Sequence, residues 1–190
     1  AKREEQLDVI IDEAKRLTEL VNEILVVSQQ NSTSKLNKTD FDFSELVESV
    51  VKKFDFDNSG YNFRRDVKKG LWVNADRHKI EQVLFNFISN AVKYCGKDKE
   101  IIIVVKEAGG SARFDVFDHG NGISKQEQKY IWDRFSRASQ KYKRGDSTGL
   151  GLSIVRSILK SHDAVFGVNS AVGKGSDFYF ELPLVEPPQN

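Results

Sequence analysis

The sequence contains no methionine and only one cysteine among its 190 residues. A single cysteine excludes an internal disulfide, and Cys95 follows an apolar helical pattern, so we expect a small buried side chain in a reducing compartment. No apolar run approaches the roughly 20 residues that span a bilayer, and no signal-peptide pattern opens the chain. We therefore expect any membrane anchor to lie outside this sequence. The missing methionine and the charged helical pattern at Ala1 suggest a piece of a longer protein.

The chain also lacks an excess of either charge. It has 29 Lys and Arg residues against 28 Asp and Glu residues, a formal net charge of +1 at pH 7. This balance argues against a nucleic-acid partner, which would need a strongly basic surface. With 39% hydrophobic residues, the chain can build a core for one ordinary domain plus an appendage.

Residues 1–30 form the first regular segment. Apolar or small side chains recur at alternating spacings of three and four, at Leu7, Ile10, Ala14, Leu17, Val21, Ile24 and Ser28. Charged residues fill the opposite face, so the pattern predicts one long amphipathic helix. Such a helix packs either against its own domain or into a dimeric bundle. A wide apolar stripe outside the main domain favours the bundle.

Residues 31–42 are rich in turn formers and lack periodicity, which predicts a linker. The main domain is expected at residues 43–186 and a short tail at 187–190. Ser44 is expected to cap one helix, and Asp76 a second helix. The second helix has its predicted apolar face at Ile80, Val83, Leu84, Phe87, Ile88 and Ala91.

Alternating or apolar runs predict strands at Tyr61 to Phe63 and at residues 71–76, 101–107, 112–118, 164–170 and 176–183. The pair 101–107 and 112–118 surrounds a Gly-Gly turn, and residues 150–161 read as a third helix. Strands with helices gathered on one side imply an α+β fold, a two-layer α/β sandwich preceded by one long bundle helix.

Three motifs in fixed order point to a nucleotide pocket: NFISNAVKY at residues 86–94, DHGNG at 118–122 and GLGL at 149–152. The acidic residue can accept from the amino group of adenine, and the paired asparagines can hold a metal ion. The glycines allow backbone to approach a ligand closely. Each glycine motif alone is more often a simple tight turn, so the prediction depends on the combination.

With IWDRFSR at residues 131–137 and GKGSDFYFELP at 173–183, these motifs resemble the catalytic ATP-binding domain of sensor histidine kinases. The resemblance covers roughly residues 72–183. It implies the Bergerat-type ATPase fold, which is shared with gyrase, MutL and the ninety-kilodalton heat-shock chaperones. It also implies that residues 1–30 are the second helix of the dimerisation hairpin, with the first helix absent from this chain.

The resemblance assigns roles along the predicted second helix. Asn90 is expected to give a side-chain oxygen to Mg2+, and Asn86, four residues earlier on the same face, to assist the phosphates. Lys93 is expected to contact phosphate, while Tyr94 offers an aromatic face to adenine. The alternatives are helix-surface asparagines, a solvated lysine and a core tyrosine.

Further roles follow around the second motif. In the family, the carboxylate matching Asp118 accepts from the adenine amino group; an aspartate that only closes a turn is the alternative. Gly120 and Gly122 permit the reversal into Ile123, which is expected to cover the base. Ser176 occupies a position where the family often has threonine near the adenine.

Residues 136–148 are polar, basic and glycine-containing, which predicts a mobile lid over the triphosphate. Phe135, in the phenylalanine motif, is expected to line the site. Candidates to neutralise the γ-phosphate are Arg137, Lys141, Lys143 and Arg144, although a charged run is usually a solvated face. The next helix is expected to offer its N-terminal amides to phosphate oxygens, with Thr148 as its cap and Gly149, Leu150, Gly151 and Leu152 at its start.

One position separates a kinase from a hydrolase. Gyrase-like relatives carry a water-activating glutamate four residues before the metal asparagine, but this chain has Asn86, which cannot act as a base. Rapid ATP hydrolysis is therefore not expected. Phosphoryl transfer needs mainly positioning and charge neutralisation, and the nucleophile can arrive on another element.

Two features depart from the family pattern. His162, Asp163 and Ala164 replace a common His-Gly-Gly after the last helix, which is expected to affect a turn but not the pocket. The acceptor-histidine motif is missing, and residues 1–30 contain no histidine. We therefore expect the chain to leave itself unphosphorylated and to form at best a weak dimer, since one helix per protomer supplies half of a four-helix bundle.

The resemblance implies a fragment of a protein-histidine kinase, with ATP and Mg2+ as cofactors. It would transfer the γ-phosphate to a histidine of its own dimer, for relay to the receiver domain of a response regulator. The full-length protein would be a membrane-anchored bacterial sensor, with this portion in the cytoplasm. A degenerate nucleotide-binding module and a serine-directed kinase of the related anti-sigma group are the alternatives.

Overall fold

The computed structural model describes residues 36–57, 60–133 and 150–188. Its elements, in chain order, are β1 (Thr39–Asp42), α1 (Phe43–Asp57), β2 (Asn62–Val67), β3 (Trp72–Ala75), α2 (Arg77–Tyr94), β4 (Glu100–Ala108), β5 (Ser111–Asp118), a 3-10 turn (Glu127–Lys129), α3 (Gly151–Ser161), β6 (Val165–Ser170) and β7 (Ser176–Pro183). The predicted bundle helix at residues 1–30 lies outside the described residues. No helix in the described ranges is both long and apolar enough to cross a bilayer.

Five strands form the main sheet, in the order β2-β4-β5-β7-β6. Strand β2 runs parallel to β4, and every other neighbouring pair is antiparallel. One face of the sheet carries fully buried side chains such as Phe114 and Phe180. The Phe180 ring lies 5.7 Å from Phe43 of α1 and 6.2 Å from Phe87 of α2, measured between centroids. The helices therefore cover this face, and the predicted two-layer α/β sandwich is confirmed.

Helix α2 follows its sequence pattern closely. The Asp76 side chain accepts a hydrogen bond from the Lys79 backbone N–H at 3.2 Å, so Asp76 is the N-cap, as predicted. The buried residues of α2 are the six that were predicted. Strands β4 and β5 meet at Gly109 and Gly110, whose φ angles of 57° and 81° suit a tight hairpin turn and confirm that prediction.

The predicted linker is wrong at its C-terminal end. Residues Thr39–Asp42 form β1, which pairs antiparallel with β3, and Phe41 is buried. The domain therefore begins before residue 43. The pairing partners of β1 lie 30 to 36 residues further along the chain, so local turn propensity did not reveal this strand. Residues 31–35 of the predicted linker lie outside the described part of the chain.

The predicted cap of the first helix is also wrong. Asp42 caps α1, because its Oδ1 accepts hydrogen bonds from the backbone N–H groups of Ser44 and Glu45 at 2.8 and 3.2 Å. Ser44 instead donates its hydroxyl to the Lys68 carbonyl at 2.7 Å and accepts from the Leu71 N–H at 3.2 Å. Its role is to tie α1 to the segment between β2 and β3.

Candidate functional site

Helix α2 supplies the two asparagines. Asn86 and Asn90 lie four residues apart and are both half-buried. The Asn86 amide donates to the Gln82 carbonyl at 2.8 Å. A Cβ added to Gly151 would lie 2.6 Å from Asn86 Oδ1, so that oxygen packs directly against the first residue of α3. Asn90 makes no side-chain hydrogen bond to any residue within the described ranges.

The last turn of α2 presents Lys93 and Tyr94 at the surface. Tyr94 is 37% exposed, and Lys93 Nζ lies 5.6 Å from the centroid of its ring. Tyr94 is therefore not a core tyrosine. Cys95 follows, half-buried, with its pKa raised by burial and by the nearby charges of Asp98 and Asp118. Its thiol therefore stays protonated and packs against the edge of the core.

Asp118 ends β5 with only 5% of its surface exposed. Its Oδ1 accepts a hydrogen bond from the Gly120 N–H at 2.8 Å. Burial raises the pKa of Asp118, although hydrogen bonds from the backbone of Gly120 and Ser176 act in the opposite direction. The described residues place no cation within ion-pair distance of this carboxylate. The arrangement leaves a desolvated acceptor, which suits a neutral N–H donor such as an amino group on a ring.

Two glycines hold the Asp118 turn against neighbouring backbone. A Cβ on Gly120 would lie 1.9 Å from the Tyr94 carbonyl oxygen, and a Cβ on Gly122 would lie 1.9 Å from that of Ala171. Gly122 also has a φ of +66°. No side chain fits at either position, because backbone atoms cannot give way. The turn thus joins the end of α2 to the loop between β6 and β7.

Ile123 and Ser176 are connected through Ser170, a residue the sequence did not single out. The Ile123 N–H donates to Ser170 Oγ at 2.8 Å. Ser170 Oγ in turn donates to the Gly175 carbonyl at 2.7 Å and lies 3.1 Å from Ser176 Oγ. Gln128 was also missed: its side-chain amide donates to the carbonyls of Ile123 and Ser170, both at 2.8 Å. The contacts of Ser170 with Ile123 and with Gln128 join residues 47 and 42 positions apart, so no local signal reveals them.

At the start of α3, Leu150 is buried, while Gly151 and Leu152 are half-buried. The described residues thus bring Asn86 to Gly151, Tyr94 to Gly120 and Asp118 to Ser176. The other predicted site residues lie outside the described part of the chain: Phe135, Arg137, Lys141, Lys143, Arg144, Thr148 and Gly149. The predicted lid, residues 136–148, falls in the same gap.

A hollow of about 400 Å3 lies on the other side of the Asp118 turn. Its lining includes Asp118 and Ser176 of the predicted site. It also includes Ile102, Phe117 and Asp177, which project from the sheet face opposite the helices. The predicted phosphate-side residues Asn86 and Asn90 do not line it. The hollow therefore shares Asp118 and Ser176 with the predicted nucleotide site, but not its two asparagines.

This site belongs to a known class of ATPase. Residues 75–186 match the family described as "Histidine kinase-, DNA gyrase B-, and HSP90-like ATPase", and the chain belongs to that family. The match confirms the predicted Bergerat-type relationship, and all of the site residues predicted from sequence lie inside the matched range.

Within this ATPase family, the individual relatives are histidine kinases. The chain is 32% identical over 185 residues to the signal transduction histidine-protein kinase ArlS of Staphylococcus epidermidis, a match that covers 96% of this chain and 41% of ArlS. The solved ThkA histidine kinase, in complex with response regulator protein TrrA, is 28% identical with a TM-score of 0.71, over 93% of this chain and 50% of that one. Full-length ShkA in complex with AMPPNP shares the fold, with a TM-score of 0.80 at 24% identity over 100% of this chain and 40% of that one. The prediction of a sensor-histidine-kinase ATPase domain is confirmed, and the chain spans well under two thirds of the length of ArlS.

Proposed function

We propose that the chain is the ATP-binding catalytic portion of a two-component sensor histidine kinase. It transfers the γ-phosphate of Mg-ATP to a histidine on its own dimer, from which the phosphoryl group passes to an aspartate of a response-regulator receiver domain. The observation that carries this proposal is the buried Asp118 carboxylate, held by the Gly120 N–H at a turn that packs on the end of the Asn86–Asn90 helix.

Asp118 binds the adenine end of the nucleotide. Its position at the end of β5 points a desolvated acceptor toward the amino group that distinguishes adenine from guanine. Tyr94 and Ile123 lie on either side of the turn: Gly120 packs on the Tyr94 backbone, and Ser170 and Gln128 hold the backbone of Ile123. Ser176, opposite Asp118 in the β5–β7 ladder, adds a hydroxyl near the base.

The phosphates extend toward α2 and α3. Asn90 offers a hard amide oxygen, which suits Mg2+, an ion that takes few protein ligands and keeps phosphate oxygens and waters. Mg2+ neutralises charge on the triphosphate when bound. Asn86 positions Gly151 and so the amide groups at the start of α3, while Lys93 supplies a positive charge. Lys143 and Arg144 are proposed to approach the γ-phosphate from the lid.

The contacts of Asn86 favour transfer to a protein over hydrolysis. Its amide nitrogen is hydrogen-bonded to Gln82 and its oxygen packs on Gly151. An amide held in this way cannot activate water. The acceptor is therefore proposed to be a histidine of the dimerisation hairpin, of which residues 1–30 form the second helix in the homodimer. The full-length protein is proposed to be membrane-anchored, with this portion in the cytoplasm.

The test is transfer of labelled γ-phosphate to a separately supplied dimerisation hairpin that contains an acceptor histidine. We expect acid-labile, alkali-stable label on the hairpin in the presence of Mg2+ and none on this chain alone. Asn90→Ala should abolish transfer and the Mg2+ dependence of ATP binding, whereas His78→Ala, on the same helix, should not. Binding of ATP without transfer to any hairpin would indicate a degenerate nucleotide-binding module. An acid-labile label on this chain alone would contradict the proposed acceptor.

The lid is tested by comparing two nucleotides. If Lys143 and Arg144 contact the γ-phosphate, Lys143→Ala and Arg144→Ala should weaken ATP binding and spare ADP binding. Calorimetry with each nucleotide gives both affinities. Equal losses for ATP and ADP would exclude a role at the γ-phosphate.

A further inference from the structure

The side chains of Asp98, Glu100 and His119 carry metal-ligating atoms and lie close together at the Asp118 turn. None of the three has a proposed role in ATP binding. His119 Nδ1 lies 2.6 Å from Asp98 Oδ2 and 3.8 Å from Glu100 Oε2. All three ligand atoms lie within 4.8 Å of one another. Glu100 is the first residue of β4, Asp98 lies two residues before it, and His119 directly follows β5. Since Ile101 pairs with Asp118 in the antiparallel ladder, strand register brings these ligands together.

In each carboxylate, one oxygen accepts hydrogen bonds from nearby donors and the second oxygen faces His119. Glu100 Oε1 accepts from Arg64 Nη1 and Asn62 Nδ2, each at 3.5 Å, while Oε2 faces His119. Asp98 Oδ1 accepts from the Glu100 backbone N–H at 3.3 Å, while Oδ2 faces His119. Groups of this kind around a metal site hold its ligands in place and tune their basicity.

We propose that His119, Asp98 and Glu100 form a site for a divalent transition-metal ion of the zinc class, with water in the remaining position. One imidazole nitrogen and two carboxylate oxygens are a ligand set that Zn2+ accepts. Mg2+ and Ca2+ are disfavoured, because they prefer oxygen ligands alone. The site is thus chemically distinct from the magnesium position proposed at Asn90.

The spacing needs only small adjustments. Ligand atoms about 2.1 Å from a tetrahedral ion are about 3.4 Å apart. The His119–Asp98 separation of 2.6 Å must open and the His119–Glu100 separation of 3.8 Å must close, each by less than about 1 Å. The Asp98–Glu100 separation, which is within 4.8 Å, must close by at most about 1.4 Å. His119 and Asp98 are exposed side chains, so rotation about their own bonds can supply this movement.

Metal binding would join two segments that already touch. A Cβ on Gly96, in the Asp98 segment, would lie 2.3 Å from the His119 carbonyl oxygen. An ion bound only by the folded chain stabilises it by mass action. We therefore expect Zn2+ to raise the melting temperature of the chain, independently of nucleotide.

The test is a calorimetric titration of the metal-free, tag-free chain with Zn2+ in the absence of nucleotide. We expect one saturable site per chain. Affinity should fall at least tenfold in His119→Ala, Asp98→Asn and Glu100→Gln, with the fold of each variant checked by circular dichroism. His78→Ala, at an exposed histidine outside the cluster, is the matched control and should bind as the unaltered chain does.

Cys95→Ser separates this site from a thiol-based one, because Cys95 lies three residues before Asp98 and thiolate is a strong zinc ligand. Binding should survive this substitution. The visible spectrum of bound Co2+ should show nitrogen and oxygen ligation without a sulfur charge-transfer band. Three outcomes would overturn the proposal. They are no saturable Zn2+ binding, full Zn2+ affinity in His119→Ala, and loss of Zn2+ binding in Cys95→Ser while the three ligand variants keep it.

Discussion

Asp115 and Asp118 lie three residues apart on β5 and are almost equally buried, with 1% and 5% of their surfaces exposed, but their surroundings differ. An odd spacing on a strand places them on opposite faces of the sheet. Asp115 projects from the face away from the helices, where the Arg113 guanidinium holds it at 2.7 to 3.1 Å and Lys106 Nζ lies 3.6 Å away. Asp118 ends the strand on the helical side, where backbone N–H groups donate to it and no lysine or arginine among the described residues forms an ion pair with it.

The difference distinguishes a structural carboxylate from one kept for a ligand. The Arg113–Asp115 pair extends to Glu181 at 2.8 Å, and Arg113 lies 4.0 Å from the centroid of Tyr179, so its donors are used within the sheet. The pKa of Arg113 is raised, first by its hydrogen bond to Asp115. The pKa of Asp118 is raised because burial disfavours its charged form more than the N–H groups of Gly120 and Ser176 and the charge of His119 favour it. A buried carboxylate without a cation is costly to the free protein, which is typical of functional sites.

The largest expected effect is on folding, at Asp115. Asp115→Ala removes one partner of a buried ion pair and leaves Arg113 to Glu181 alone, which should lower the free energy of unfolding by about 3 kcal/mol. Urea unfolding gives this value, and ATP affinity of the folded variant should be unchanged. Glu107→Ala, which breaks an exposed pair with Lys68 on the same sheet, should cost less than about 1 kcal/mol. An equal loss in the free energy of unfolding for the two variants would show that the buried Asp115 pair stabilises the fold no more than an exposed pair does.

At Asp118 we expect the reverse, a loss of ATP affinity without a loss of stability. In Asp118→Asn the loss of a charge-assisted hydrogen bond costs roughly 1.5 to 3 kcal/mol, so ATP affinity should fall tenfold to a hundredfold. Its free energy of unfolding near neutral pH should not fall, because a desolvated charge has been removed. Calorimetry and urea unfolding on the same preparation measure both quantities. Unchanged ATP affinity in this folded variant would remove Asp118 from the site.

The sequence could predict what local pattern and turn chemistry control. The buried face of α2, from Ile80 to Ala91, follows from helical periodicity, and the β4–β5 hairpin follows from its Gly-Gly turn. Asp118 could be chosen because the glycine motif around it is specific in combination with the others. The family match then confirmed the class of domain.

Contacts between distant segments could not be predicted. Strand β1 has a single buried apolar residue, Phe41, and exists because β3 offers a pairing edge. Ser170 is an ordinary polar residue in sequence, and only the fold brings it to Ile123 and Gln128. The contact between Asn86 and Gly151 likewise appears only when α2 and α3 pack together. The roles of Asn86, Asn90 and Lys93 in phosphate and metal binding stay predictions.

A smaller effect on stability is expected for Lys106, the second cation near Asp115. Lys106 is half-exposed and 3.6 Å from Asp115 Oδ2, so Lys106→Gln should lower the free energy of unfolding by about 0.5 kcal/mol or less. ATP affinity should not change. Urea unfolding at low and high salt measures the difference, which should shrink with salt. A loss as large as that of Asp115→Ala would mean that Lys106, and not Arg113, is the principal partner.

The smallest effect lies in the pH dependence of stability at Asp118. Because its pKa is raised in the folded chain, the folded state holds this proton more tightly than the unfolded state does. Stability from this group is therefore greatest below the unfolded pKa of about 3.9 and declines as pH rises through the folded pKa. The free energy of unfolding of Asp118→Asn minus that of the unaltered chain should grow across that interval and then stay level. Urea unfolding of both proteins across the acid range measures it. A difference that grows toward acid instead would mean that the pKa of Asp118 is lowered on folding, as for a carboxylate with a cationic partner, and the contrast with Asp115 would disappear.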